Sequence, residues 1–278
     1  PAVRQTIRTL EGRGVRFVQP GTGYLACGWI GTGRLAEPED IVEAADLVLR
    51  GSRSLEGRRV IVTAGPTYED LDPVRFIGNR SSGRMGFALA REAGRRGAAV
   101  TLVAGPTSIE PPRDVEIVRV RSAAEMHDAV MGRLDAADIV IMAAAVADYA
   151  PETKDDRKRA KAGDGLTVTL RRTPDILAGI GAWRAAQGRV RPVIVGFAAE
   201  TDDAVAKGRK KLEAKRADFV VVNNVLEPGA GFEVETNVVT LVGPDWEDAL
   251  PLQPKSAVAA VILDRAERLL AQTAGAPA

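Results

Sequence analysis

The sequence is poor in cysteine, histidine and aromatic residues, and each shortage argues against a class of protein. A single cysteine, Cys27, leaves no intrachain disulfide and no cysteine-based metal cage, and is typical of a reducing, cytoplasmic setting. The single histidine, His127, lies within a predicted helix and supports no serine–histidine–aspartate triad. Aromatic residues make up only 4%, too few for a platform that stacks the bases of single-stranded nucleic acid.

Long apolar runs and an excess of one charge are also missing. No stretch of about 18 apolar residues occurs, so we expect no membrane-spanning helix. Lysine plus arginine total 38 against 37 aspartate plus glutamate, whereas nucleic-acid binders usually carry a basic excess. We therefore expect neither a membrane nor a nucleic acid as partner. The chain begins Pro-Ala-Val without an initiator methionine, which predicts a piece of a longer protein.

The sequence does contain the alternation of strands and helices that is typical of an open α/β sheet. From Arg58 onward, short apolar strands alternate with helices of about 10 to 15 residues, which predicts a three-layer, Rossmann-like fold with a mostly parallel sheet. Strands are predicted at 59–64, 99–104, 115–120, 138–143, 166–171, 193–197, 218–222 and 237–242, the last as an antiparallel edge. Helices are predicted at 82–96, 123–134, from 174, at 202–216 and at 255–272.

The same pattern predicts how the chain is divided. Residues 1–52 are rich in glycine and arginine, with helices predicted at 2–12 and 38–49. The Gly-Ser-Arg-Ser-Leu-Glu-Gly stretch at 51–57 predicts a linker, which we place at 53–57. The main domain is then 58–272, and 273–278 are predicted to be a disordered tail.

Ligands of open α/β sheets bind at the carboxyl ends of the strands, so the loops there are the candidate sites. In the first loop, Ser81, Ser82, Gly83 and Gly86 lie at a predicted helix N-terminus, where backbone N–H groups can hold a phosphate. The alternative is a serine-capped helix packed closely on the sheet. The loop lacks both the Gly-x-Gly-x-x-Gly and the Gly-Lys-Ser/Thr fingerprints, which disfavours a nicotinamide-dependent reductase.

Three further segments carry charge close to these loops. Asp148 follows a buried strand and could bind a metal, a hydroxyl or an amide, or could cap the next segment. Residues 154–161 form either a solvated charged loop or a lid that brings Lys158 or Lys161 to developing negative charge. Lys211 and Lys215 share one helix face, which is either a site or a solvated surface.

Taken together, these segments resemble phosphopantothenate–cysteine ligase, one half of the bacterial bifunctional enzyme of coenzyme A synthesis. The resemblance spans about residues 58–270, and its motifs follow the family's order. The matching segments are Thr63-Ala-Gly-Pro-Thr, Asp72-Pro-Val-Arg-Phe-Ile, Asn79-Arg-Ser-Ser-Gly-Arg-Met-Gly, Ala144-Ala-Val-Ala-Asp-Tyr, Pro174-Asp-Ile-Leu, Val195-Gly-Phe-Ala-Ala-Glu-Thr and Asp218-Phe-Val-Val-Val-Asn-Asn.

The N-terminal region is similar to the end of the partner decarboxylase. Residues 23–38 match that family's substrate-clamp segment, and Cys27 falls where the family has its catalytic acid. The upstream flavin-binding motifs are not in this sequence, so we expect no decarboxylation and no FMN binding by this chain unaided.

The resemblance implies a reaction and its partners. The carboxylate of 4'-phosphopantothenate would attack CTP, with Mg²⁺, to give an acyl cytidylate and pyrophosphate, and L-cysteine would then displace CMP. It also implies a homodimer through the ligase domain, and a dodecamer in the intact protein, whose decarboxylase half would use FMN. A scaffold that has kept the fold and lost the chemistry is the non-enzymatic alternative.

The resemblance further implies roles for individual residues. Asn79 would support conversion of the acyl-nucleotide, Arg75 would reach substrate across a dimer interface, and Lys158 would be the loop lysine needed for cytidylate formation, with Lys161 as its rival. Substrate contacts are implied for Arg75, Asn79, Ala144, Ala145 and Asp148, the last also as a metal ligand. CTP contacts are implied for Gly65, Ser81, Gly83, Gly86, Met142, Ala143, Ala144, Asp148, Lys158, Asp175, Ile176, Leu177, Ala178, Phe197, Lys211 and Lys215.

Overall fold

The structure is a computed structural model. It describes residues 2–12, 15, 17, 18, 20–24, 29–49, 53–113, 115–158, 165–200, 202–224, 227, 231 and 233–274. The chain folds into two compact units, Pro1–Ser52 and Arg53–Ala278. Cys27 and Lys161 lie outside the described residues.

The first unit contains two helices and a hairpin. Helices α1 (Ala2–Gly12) and α2 (Pro38–Leu49) lie where their patterns predict them. Between them, β1 (Gly21–Tyr24) pairs antiparallel with β2 (Ile30–Arg34). The hairpin was not predicted, because glycine and threonine fill its strands and leave no apolar alternation to detect.

The second unit holds the α/β fold. Its elements are β3 (Arg59–Ala64), β4 (Tyr68–Asp70), β5 (Phe76–Gly78), α3 (Arg84–Arg95), β6 (Ala99–Ala104), β7 (Glu116–Arg119), α4 (Ala123–Met131), a 3₁₀ turn (Leu134–Ala136), β8 (Ile139–Met142), β9 (Tyr149–Pro151), β10 (Leu170–Arg172), α5 (Ile176–Ala186), β11 (Val193–Glu200), α6 (Ala204–Lys215), β12 (Phe219–Asn224), β13 (Thr236–Val242), β14 (Glu247–Pro254) and α7 (Lys255–Ala274).

Within the described residues, the central sheet has eight strands in the order β14-β13-β12-β11-β8-β3-β6-β7. The six strands from β12 to β7 are parallel, and β13 and β14 are antiparallel additions. Alternate residues of β3 face opposite sides: Val60 and Val62 join the core under α3 and α7, and Ile61 joins the core under α4 and α5. A sheet covered on both faces requires apolar residues throughout its strands, and this confirms the predicted three-layer architecture.

The prediction that residues 237–242 form the edge of the sheet was wrong. β13 is antiparallel to β12, but β14 pairs with its other side. β14 was not predicted because it is largely exposed and contains Pro251 and charged residues. The short strands β4, β5 and β9 were also missed, since three residues are too few to show a period. β10 begins at Leu170, four residues later than predicted.

Residues 53–57 form turns that pack on the second unit. Leu55 is 1% exposed and lies in the core with α3 and α7. Its N–H donates to the carbonyl of Arg96 at 3.0 Å. This segment, predicted as a linker, therefore contributes to the packing of the α/β fold. Helix α7 continues to Ala274, two residues into the predicted tail, and 275–278 lie outside the described residues.

A buried arginine joins α3 to α7. Arg96 is 6% exposed, and its guanidinium donates to Glu92 at 2.8 Å, Glu267 at 2.8 Å and the carbonyl of Ala260 at 3.0 Å, with Asp264 at 2.7 Å. Burial alone would lower the pKa of Arg96, but the hydrogen bonds to Glu267 and Glu92 outweigh it and raise that pKa. The cluster fixes how the two helices lie against each other.

Replacing Arg96 with alanine should therefore lower the free energy of unfolding by about 1–3 kcal/mol, because the buried Glu92 would lose one of its two arginine partners and keep only Arg95. Urea unfolding measures this change. Arg91 lies exposed on the same helix, so Arg91→Ala is the control and should change stability by less than about 0.5 kcal/mol. Equal effects of the two substitutions would contradict a special role for the buried cluster.

Candidate functional site

A cleft of about 830 Å³ opens at the carboxyl ends of the parallel strands. This volume is in the range of small-molecule sites. The loops after β5 and β8, the end of β11, one face of α6 and the first turns of α3, α5 and α7 line it. The predicted residues that line the cleft are Asn79, Ser81, Gly83, Gly86, Met142, Ala143, Ala144, Ala145, Asp148, Asp175, Ile176, Leu177, Phe197, Lys211 and Lys215.

The glycines in the first turn of α3 allow the helix backbone to lie very close to β3. Gly83 is the N-cap, with φ of 81°, and it carries no side-chain cap, so the serine-capped alternative does not apply. Ser81 Oγ instead accepts from the Gly83 N–H at 3.2 Å. A Cβ on Gly86 would lie 2.6 Å from Ala64 Cβ, which shows how tightly the helix lies on β3. The helix N-terminus thus opens directly onto the cleft, where its N–H groups can bind an anion.

Gly86→Ala should destabilise the protein by about 1–3 kcal/mol, because the added methyl group would push α3 away from β3. Gly94 offers a matched control on the same helix, where a Cβ would meet its nearest neighbour, Val115, at an ordinary 3.7 Å. Gly94→Ala should be neutral or stabilising by up to about 1 kcal/mol, since alanine is the better helix former. Urea unfolding of both variants tests the difference, and a neutral Gly86→Ala would show that α3 can move.

Threonine side chains hold the loop after β8 in place. Thr63 Oγ1 accepts from the N–H of Ala144 at 3.1 Å, and Thr67 Oγ1 accepts from the N–H of Ala147 at 2.9 Å. Both threonines are fully buried. The loops after β3 and β8 therefore form one unit, and the small residues between the anchors leave room for a ligand.

Two polar side chains of the predicted motifs, Asn79 and Asp148, line the cleft at these loops. The Asn79 amide Nδ2 donates to the carbonyl of Val146 at 2.8 Å, so Asn79 bridges the two loops. Asp148 is exposed, at the end of the loop after β8. Within the described part of the chain no three His, Cys, Asp or Glu side chains group together as a metal site would require.

The wall formed by α5 and α6 carries two lysines held by acceptors. Lys211 Nζ donates to the carbonyl of Phe197 at 2.7 Å, and burial lowers the pKa of this amine. Lys215 pairs with the carboxylate of Asp175. Asp175 is also the N-cap of α5, accepting from the N–H of Ala178 at 3.0 Å. Both lysines line the cleft, so they are not simply a solvated helix face.

The carboxyl group of Asp175 is held in its charged form. Burial raises its pKa, but the hydrogen bonds from Lys215 and Ala178 outweigh burial, so its pKa lies below the usual 3.8. A depressed folded-state pKa means that this group contributes stability above pH 3.8 and loses the contribution as the pH falls through the folded value.

Asp175→Ala should therefore cost about 1 kcal/mol at neutral pH through loss of the cap, whereas Asp175→Asn should keep most of it, because asparagine caps equally well. The remaining stability difference between the wild type and Asp175→Asn should shrink below about pH 4. Urea unfolding as a function of pH measures both effects. A pH-independent difference would show that the ion pair does not stabilise the fold.

Several predicted residues do not line the cleft. Gly65 is buried behind Gly83, with its N atom 3.3 Å from where a Gly83 Cβ would lie. The N–H of Ala178 is used by its cap. Arg75 lies beside the cleft-forming loops in the turn between β4 and β5, where it donates to Asp72 Oδ2 at 2.9 Å. Lys158 is exposed in the loop after β9 and does not line the cleft.

The cleft also contains residues that were not predicted to belong to the site, although Arg84 and Asn223 lie within the matching segments. Arg84, Asn223, Asn237 and Lys255 line the side formed by α3, β12, β13 and α7. Lys255 is 5% exposed, and burial, with a smaller contribution from Arg84, lowers its pKa to about 8. Lys255 follows β14, a strand that was not predicted. Nothing in the sequence pattern therefore indicated that Lys255 lies near the loops of the site.

Comparison with known proteins bears directly on this cleft. Residues 55–270 match the model of the DNA/pantothenate metabolism flavoprotein C-terminal domain. The chain belongs to this family. The bifunctional coenzyme A biosynthesis protein CoaBC of Bacillus subtilis (strain 168) is 46% identical over 277 residues, which cover 98% of this chain and 67% of that protein. The chain thus spans about two thirds of the length of the curated relatives that it matches.

Solved structures agree with the fold. The crystal structure of the C-terminal domain of a CoaBC protein superposes with a TM-score of 0.67 at 39% identity, covering 80% of this chain and 100% of that one. A Cab2 variant in complex with phosphopantothenate-cysteine shares the fold, with a TM-score of 0.63 at 17% identity, covering 86% of this chain and 96% of that one. None of the described helices is long and apolar enough to span a membrane.

Proposed function

We propose that this chain is a nucleotide-dependent phosphopantothenate–cysteine ligase that joins 4'-phosphopantothenate to L-cysteine in coenzyme A synthesis. The observation that carries the proposal is one cleft with two complementary walls. An uncapped helix N-terminus, at Gly83, lies on one side, and the Lys211 and Lys215 amines lie on the other. The names of the CoaBC relatives support the pathway, and the phosphopantothenate-cysteine bound by a fold neighbour is the product that this reaction would give.

The proposed reaction has two steps. A carboxylate oxygen of phosphopantothenate attacks the α-phosphorus of CTP, an O–P bond forms, and the bond to the β-phosphate breaks to release pyrophosphate. The cysteine amine then attacks the acyl carbon, a C–N bond forms, and CMP leaves as the amine loses a proton. Activation is needed because a carboxylate is a poor acyl donor, and the nucleotide gives it a good leaving group.

The residues of the cleft suit these steps. Backbone N–H groups of the first turn of α3 would hold phosphate oxygens, and the Lys211 and Lys215 ammonium groups would face the nucleotide. Asn79, already positioned by the carbonyl of Val146, would contact the acyl-nucleotide. Lys158, or Lys161 in its place, would come from the loop after β9 to stabilise charge at the α-phosphate.

The donor set fits a cation that arrives with the nucleotide. Mg²⁺ in nucleotide sites is held by one or two carboxylates plus substrate phosphates, and Asp148 supplies one exposed carboxylate at the cleft. When bound, the ion would neutralise part of the triphosphate charge. We place Asp148 as its protein ligand.

A homodimer through the β4–β5 hairpin accords with the proposed role of Arg75. The rings of Tyr68 and Phe76 stack with centroids 3.8 Å apart, and Phe76 and Val74 are 45% and 59% exposed. These apolar side chains flank Arg75 and offer a surface for a second copy. In the intact protein we further propose a decarboxylase half with FMN and catalytic Cys27, and a dodecamer assembled from ligase dimers.

The test is pyrophosphate release with phosphopantothenate and Mg²⁺, comparing CTP with ATP, with and without L-cysteine. We expect release that requires phosphopantothenate, sustained turnover only with cysteine, and faster turnover with CTP. Lys158→Gln should reduce kcat about 10²- to 10³-fold, while the neighbouring exposed Arg157→Gln serves as the control. A larger loss in Lys161→Gln would assign the lysine role to that residue. A folded chain that releases no pyrophosphate with either nucleotide would refute the ligase.

A further inference from the structure

One side of the cleft carries two basic side chains, Arg84 and Lys255, that have no role in the ligase reaction proposed above. We call this side the α7 wall, and define it by the cleft-lining residues Arg84, Asn223, Asn237 and Lys255 together with Glu235, which pairs with Arg84. The first turns of α3 and α7 meet here, and the two strands β12 and β13 supply the asparagines. Arg84 and Asn223 lie within segments that match the family, but none of the five residues was predicted to belong to the site.

Lys255 is a fixed positive charge in this wall. Its Nζ donates to the carbonyls of Gly231 at 3.0 Å and Thr236 at 2.9 Å, and also to the carbonyl of Val234. Three acceptors use all three ammonium protons. Lys255 can therefore attract an anion through its charge but keeps its hydrogen bonds to the loop before β13.

Arg84 is the adaptable charge beside it. Its Nη1 pairs with the carboxylate of Glu235, and the two side chains are 39% and 75% exposed. Its Nε is buried and has no hydrogen-bond partner among the described residues. The guanidinium thus has an unused donor, and it is paired with an exposed carboxylate that water would solvate readily if it were released.

Asn223 supplies a second unsatisfied group. Its residue is 9% exposed and lines the cleft, and its Oδ1 accepts no hydrogen bond from any described residue. A buried amide oxygen without a donor is costly unless a ligand or water satisfies it. The neighbouring Asn237 is 3% exposed and also lines the cleft. The wall therefore combines positive charge with one unused donor, Arg84 Nε, which suits a phosphate oxygen, and one unused acceptor, Asn223 Oδ1, which suits an N–H or O–H group of the same ligand.

We propose that the α7 wall binds a phosphate group of one of the two phosphorylated substrates, and that Glu235 is a stand-in for this phosphate that Arg84 releases when the substrate arrives. The inference rests on the proposed ligase function. A phosphate dianion offers Arg84 more negative charge and more acceptor oxygens than one exposed carboxylate, and it would also face Lys255. Replacement of Glu235 by a substrate phosphate at Arg84 is therefore favourable. When no substrate is bound, Glu235 neutralises the charge of Arg84.

The test compares Glu235→Gln, Arg84→Met and the double variant. KM is measured for CTP and for phosphopantothenate, each with the other saturating, with L-cysteine as the unphosphorylated reference. We expect Glu235→Gln to lower the KM of one phosphorylated substrate about threefold to tenfold and Arg84→Met to raise the same KM about tenfold. The double variant should behave like Arg84→Met, because Glu235 acts only through Arg84. The substrate whose KM moves is the one whose phosphate the wall binds.

Matched controls are exposed residues of the same regions: Glu233→Gln, two residues before Glu235, and Arg91→Met on α3, both expected to leave every KM unchanged. Unchanged KM values in Glu235→Gln and Arg84→Met would overturn the proposal. So would a raised KM in Glu235→Gln, because it would show that Glu235 supports the site.

Calorimetric titration with inorganic pyrophosphate gives a readout without turnover. Binding that tightens in Glu235→Gln and weakens in Arg84→Met would support the phosphate subsite even if the chain released no pyrophosphate and the ligase itself failed. Pyrophosphate affinity equal to the wild type in both variants, in a chain that turns over normally, would refute the wall alone.

Discussion

The close packing of α3 on β3 is the constraint on which the cleft depends. Gly86 leaves no room for even a Cβ between the helix and Ala64, so the first turn of α3 lies directly at the end of the strand. A side chain here would push the helix away from β3 and move the backbone N–H groups that can bind an anion. Arg96 fixes the far end of the same helix against α7. The anion-binding end of the cleft is thus held in place by contacts at both ends of α3.

The loops that form the cleft are connected to each other by hydrogen bonds. Thr63 and Thr67 on the β3 side satisfy backbone groups of the loop after β8, and Asn79 adds a third link. Buried backbone groups need partners, and here each partner also fixes a ligand-facing segment. This arrangement explains how a loop of alanines can be held in place while leaving open space beside it.

The basic side chains of the cleft have three kinds of hydrogen-bond or ion-pair partner. Lys215 has a carboxylate partner in Asp175, Lys211 and Lys255 have carbonyl oxygens, and Arg84 has the exposed Glu235. Carbonyl partners satisfy donors without cancelling the charge, so the burial of Lys211 and Lys255 lowers their pKa. The cleft keeps a net attraction for anionic substrates because only part of its positive charge is neutralised.

The sequence by itself determined the architecture and the loops of the site, whereas only the tertiary structure decided which residues face the cleft. The apolar runs of β3, β6, β8, β11 and β12 could be found because strands buried on both faces need continuous apolar residues, and their carboxyl ends meet at one edge. Gly65 and Ala178 belong to the same motifs as cleft residues, yet one is buried behind Gly83 and the other has its N–H capped by Asp175. Lys255 follows the unpredicted strand β14 and reaches the site because α7 packs beside α3. Local pattern determines the elements and their order, and contacts between distant segments decide which side chains share a site.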